Sequence, residues 1–89
     1  MEKADIISRL SALAQPVRLD IYLAIAAAKD GITSTRVAEV TGAMPTNTSV
    51  HLSVLRNAGL VSATKVGRSV IYRAEQEKMD ELIEFLRRK

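Results

Sequence analysis

The chain has 89 residues, room for one small domain of the kind that often leans on a partner subunit. Hydrophobic residues make up 47%, too many for a disordered chain, and the formal charge of +3 is mildly basic, compatible with nucleic acid. There is no cysteine and a single histidine, His51, which excludes disulfides, zinc fingers, thiol-based sensing and a histidine-cluster metal site within one chain.

The opening "MEKADII" carries acids where a targeting peptide would not. The apolar runs are too short to span a bilayer, so a soluble cytoplasmic protein without a membrane partner is expected. "EKADIISRLSALA" spaces Ile6, Leu10 and Leu13 as a helix does, with Ile7 and Ala14 beside them. Pro16 then opens "PVRLDIYLAIAAA", apolar on almost every side and therefore the expected centre of the domain. "KDGIT" is the expected break after it, with Gly31 as the expected cap.

"STRVAEVTG" reads as a short helix capped by Thr33 or Ser34, with Val37 and Val40 facing inward and Gly42 at its end. Residues 45–58 form the next helix, opened by Pro45 and closed by Gly59. Two short helices joined by the turn "TGAM" match a helix-turn-helix. The β-branched segments "LVSATK" and "SVIYRA", joined by "VGR", predict a two-stranded hairpin with Lys65 and Arg68 near its tip. "EQEKMDELIEFLRRK" is a terminal helix with a stripe of Met79, Leu82, Ile83 and Leu86, acids early and bases late, as the helix dipole favours. The fold class expected is α+β, mainly α with a β-hairpin wing, in the order α-α-α-α-β-β-α, as a single domain over residues 1–89.

Charge sorts along this order. Residues 1–39 balance five bases against five acids, whereas residues 40–74 hold Arg56, Lys65, Arg68 and Arg73 and no acid. A polyanion-facing surface shows that separation. On a helical wheel of residues 45–58, Thr48, His51, Leu52 and Leu55 form the packed side. Thr46, Asn47, Ser49, Val50, Ser53 and Asn57 form the other. A merely solvated face would carry Glu–Lys pairs, and this one carries none. Asn47 can pair bidentately with adenine, Thr46, Ser49 and Ser53 can bond bases or phosphates, and Val50 can cover a thymine methyl. Arg56, Lys65, Arg68, Ser69 and Arg73 are the candidate backbone and wing contacts. Arg73 has an alternative use in an ion pair with Glu75 or the terminal helix, and Arg18 an alternative to DNA contact in anchoring its own helix start.

The order of parts resembles the ArsR family of winged-helix transcription regulators. "LSALAQPVRLDIYLAI" is similar to the family's opening, "TSVHLSVLRNAGLV" to its recognition helix and closing glycine, and "KVGRSVIYRA" to its wing. The resemblance covers roughly residues 7–74. It implies a dimeric, usually repressing DNA-binding protein, with Thr46, Asn47, Ser49 and Val50 reading bases and Arg68 as the wing arginine. The family's inducer sites use cysteines on the helix before the recognition helix, acid and histidine ligands on the terminal helix, or a cysteine pair beyond it. "STRVAEV" and "MDELIEFLRRK" carry none of these sets, so metal or arsenite sensing is not expected, and neither is a cofactor. Thr48 replaces a usual aliphatic and Val50 a commonly polar residue.

The expected function is a homodimeric repressor occluding a promoter. Its dimer interface would be Ile6, Ile7 and Leu10 with Met79, Leu82, Ile83 and Leu86, on helices at about 3–14 and 75–88. The partners implied are double-stranded DNA with an imperfect palindromic operator, a second copy of the chain and, where release is regulated, a small-molecule or protein inducer. The competing reading is a winged-helix protein-interaction module that does not bind DNA, with Val50 and Val66 as partner contacts. No nucleophile has a second catalytic group placed by a recognisable motif, and there is no phosphate-cradling glycine loop, so an enzyme is not expected.

Overall fold

The computed structural model describes residues 2–88. The elements run α1 (Lys3–Leu13), α2 (Pro16–Ala27), β1 (Ile32–Thr33), α3 (Ser34–Thr41), α4 (Pro45–Asn57), β2 (Val61–Val66), β3 (Ser69–Ala74) and α5 (Gln76–Arg87). The starts of α2, α3 and α4 have local causes. Pro16 and Pro45 stand in the first turns of α2 and α4, and the Gln15 side chain accepts from the Arg18 N–H at 2.7 Å. Of the two candidates, Thr33 caps α3, accepting from the Arg36 N–H at 3.2 Å.

The helix ends are equally specific. Gly42 terminates α3 in the left-handed conformation. After α4, the N–H of Leu60 donates to Leu55 and that of Gly59 to Arg56, the paired bonds of a Schellman motif. Leu55 and Leu60, the residues that motif brings together, are both fully buried. Gly31 does not cap α2 directly: Ala28 does, and Gly31 makes the following turn at φ +93°. A Cβ there would run into Ile71 Cγ2, so this position needs glycine for conformation and for space.

The sheet has three antiparallel strands in the order β1-β3-β2, one more than the expected hairpin. The extra strand is short: Ile32 pairs with Tyr72 and Thr33 with Ile71. In the hairpin Val66 pairs with Ser69, leaving Gly67 and Arg68 as a two-residue turn. Positive φ at Gly67 but not at Arg68 is the type II′ pattern.

The core gathers Ala12, Ile21, Tyr22, Ile25, Val37, Leu52, Leu55, Leu60 and Val61 from α1, α2, α3, α4 and the start of the wing. The central role expected of α2 is thus observed. Val40 is a correction: it was expected inside but is exposed, because the buried arc of α3 is set by Val37, Ala38 and the half-buried Thr41. Ile6 and Leu82 correct the expected dimer face, since both are buried within the chain itself, on the two helices that meet at the termini. No single helix is long and apolar enough to cross a membrane; α1 and α2 reach that length only together, and they turn through 99° at their junction.

Candidate nucleic-acid interface

The inward side of α4 is Thr48, Leu52 and Leu55, all buried, with His51 and Val54 half-buried at its edge. Thr48 fits an apolar site because its hydroxyl donates to the Met44 carbonyl at 2.9 Å, so no buried polar group is left unpaired. The outward side holds Thr46, Asn47, Ser49, Val50, Ser53, Arg56 and Asn57, all exposed. At 100° per residue the centre of that arc falls on Thr46, Val50, Ser53 and Asn57. Asn47 stands on one flank, and Ser49 and Arg56 on the other. The Ser49 hydroxyl donates to the Pro45 carbonyl at 3.2 Å, which leaves its lone pairs outward.

Lys65, Gly67, Arg68 and Ser69 are exposed at the wing tip, with Val66 beside them. Among the described residues neither Arg56, Lys65 nor Arg68 pairs with an acid. Arg73 is different. It lies toward the base of the wing, and its guanidinium donates to the Asp30 carbonyl at 3.1 Å. That bond ties β3 to the turn before β1, and among the described residues Arg73 makes no ion pair with Glu75, while its side chain stays exposed on the wing.

Two features near the reading side were not visible in the sequence. Met44, the residue before α4, is exposed at the helix start. Glu39, outside the acid-free window in sequence, lines a cleft of about 350 Å³ between α3 and α4 together with Pro45 and Ser49. It lies 3.4 Å from Arg36 in an exposed pair one helical turn apart. The window is therefore acid-free along the chain but not entirely so in space. Among the described residues no group of His, Cys, Asp and Glu side chains gathers as a metal site requires.

A helix-turn-helix domain model matches residues 13–62, more than half of the chain. An ArsR-like transcriptional regulator from Rhodococcus sp. RHA1 superposes with a TM-score of 0.86 at 26% identity, over 93% of this chain and 76% of that one. The chain belongs to the ArsR family. It is a DNA-binding transcriptional regulator with a winged helix-turn-helix, and not an enzyme. Two further likenesses bracket its extent. The homodimeric winged helix-turn-helix DNA-binding domain from Mycobacterium bovis matches at 28% identity and TM-score 0.79, over 93% of this chain and 75% of that one. HlyU from Vibrio cholerae matches at 29% and 0.74, over 98% of each chain. No curated protein matches the chain significantly. Membership in the family decides against the competing reading of a winged-helix module without DNA binding.

Proposed function

We propose that this ArsR-family chain works as a homodimeric repressor that occludes a promoter at an imperfect palindrome and is not released by metal. The observation that carries the dimer is the pair of terminal helices. Ile7 and Leu10 on α1, and Ile83 and Leu86 on α5, remain exposed after the chain has buried its own core. A small domain gains most by covering such a face with a second copy about a two-fold axis. The homodimeric state of the M. bovis domain supports a dimer here. Ile6 and Leu82 then act from beneath, holding α1 and α5 in place, and the half-buried Met79 packs against the core.

In such a dimer the two α4 helices would enter successive major grooves about 34 Å apart. Thr46, Asn47, Ser49, Val50 and Ser53 would read bases. Arg56, Lys65, Arg68 and Ser69 would hold phosphates and the adjacent minor groove. The lack of metal response rests on ligand chemistry: there are no cysteines and one half-buried histidine to offer a soft or borderline cation. In vitro transcription from a promoter carrying the bound sequence tests the whole reading. Added protein should lower transcript, and zinc, arsenite or a chelator should leave that repression unchanged. Activation by the protein, or relief by metal, contradicts it.

A further inference from the structure

Arg18 occupies the third position of α2, yet its side chain serves two other helices. Its Nε donates to the Ala12 carbonyl at 2.6 Å and its Nη2 lies 3.4 Å from the Ser11 carbonyl. Both carbonyls belong to the last turn of α1, where intrahelical partners run short, and the Ser11 carbonyl also accepts from the Ala14 N–H at 3.1 Å. The remaining nitrogen, Nη1, lies 3.5 Å from Nδ1 of His51 on α4. A guanidinium only donates, so in the tautomer with its proton on Nε2 the ring accepts this bond through Nδ1. One planar, rigid group therefore connects the end of α1 with the middle of α4.

The packing between those two helices gives the bridge its importance. Ser8, Ser11 and Ala12 face Val54, Asn57 and Ala58 across a cleft of about 260 Å³. Small side chains around an open cleft fix an interhelical angle poorly, because few atoms interlock. A fork of directed hydrogen bonds fixes it well.

We infer that Arg18 and His51 are positioning residues that set the angle between the dimer-forming helix α1 and the base-reading helix α4, and with it the separation of half-sites the dimer accepts. The inference rests on the two-fold dimer proposed above. In that dimer α1 reaches each reading helix through α2, which packs on both and carries Arg18, so a small rotation at the bridge moves the two reading helices relative to each other. Changing the spacer by one base pair displaces a half-site by about 3.4 Å and about 35°. A stiff bridge penalises that displacement, and a loose one absorbs it.

The test uses duplexes carrying both half-sites with the spacer lengthened or shortened by single base pairs, and a duplex with one half-site. These are titrated with the parent, His51→Leu and His51→Asn, each weighed by light scattering. The Asn Oδ1 takes the place of Nδ1 and still accepts from Arg18, whereas leucine does not. His51→Leu is expected to lose about tenfold of the parent's preference for its best spacer, with single half-site affinity within about twofold of the parent. His51→Asn should keep the parent profile. A purely structural role would lower affinity for every duplex alike. A dimeric His51→Leu with the parent's spacer profile overturns the inference, and so does equal loss in both variants. A parent of monomer mass overturns the dimer itself, and is recognised from the mass alone.

Discussion

Arg9 on α1 donates through Nη1 to the carboxylate of Glu81 on α5 at 3.1 Å, joining helices from opposite ends of the chain. The same nitrogen lies 3.0 Å from the Lys78 carbonyl, and the Arg9 side chain is nearly buried while Glu81 is half-exposed. The two halves of this contact differ in worth. Arg9→Ala should cost about 2–3 kcal/mol, since it removes buried packing along with the bonds. Glu81→Gln should cost about 0–1 kcal/mol, because water replaces much of what is lost. Urea unfolding of both variants checks the ranking, and equal losses would contradict it.

Neighbouring residues on α5 separate folding from assembly. Leu82 is buried and Ile83, the next residue, is exposed. Leu82→Glu should unfold the protomer, costing about 3 kcal/mol or more, because it places a charge in an apolar site. The double change Ile83→Glu with Leu86→Glu should leave the circular dichroism and Tm of a folded chain and halve the mass in light scattering. A dimer mass for that variant would refute the proposed interface.

How far the sequence could be read is visible in these same residues. Pro45, Gly42, Gly59 and Gly67 punctuate the chain by local chemistry, so the helix-turn-helix and the wing were legible almost to the residue. β1 was not: Ile32 and Thr33 are two residues, too few for any alternation, and are a strand only because β3 lies beside them. The stripe on α5 was legible as a stripe but not as two surfaces, since periodicity does not tell a residue's own core from a partner's. The exposed side of α4 followed from its wheel. Arg73 and Glu39 escaped the reading because their neighbours, Asp30 and the start of α4, are brought to them by the fold rather than by the sequence.

Tyr22 should make stability depend on alkaline pH. Burial pushes its hydroxyl above the ordinary value of 10.0, and the Asp80 charge pushes it the same way. The unfolded chain therefore gives up this proton first, so it binds fewer protons than the native state and stability falls as pH rises. The contribution is complete below the ordinary tyrosine value and is lost as pH climbs from there through the raised one. Tyr22→Phe should flatten that limb in a Tm-against-pH series, and an unchanged slope would show that another group is responsible.

On DNA, the reading helix and the wing should respond differently. Asn47→Ala should cost roughly 1–3 kcal/mol on the selected site and little on random sequence. Arg68→Ala should weaken both alike and lower the slope of log affinity against log salt by about one. Titrations at several salt concentrations distinguish these patterns. Asn47→Ala binding the selected site as the parent does would show that the wrong face had been assigned to the bases.

The most direct measurement is selection of bound duplexes from a random pool by the unmodified protein. A homodimeric reader of a palindrome should recover two inverted half-sites with centres about one helical turn apart. Recovery of a lone half-site, of direct repeats, or of duplexes with no shared sequence would contradict that expectation.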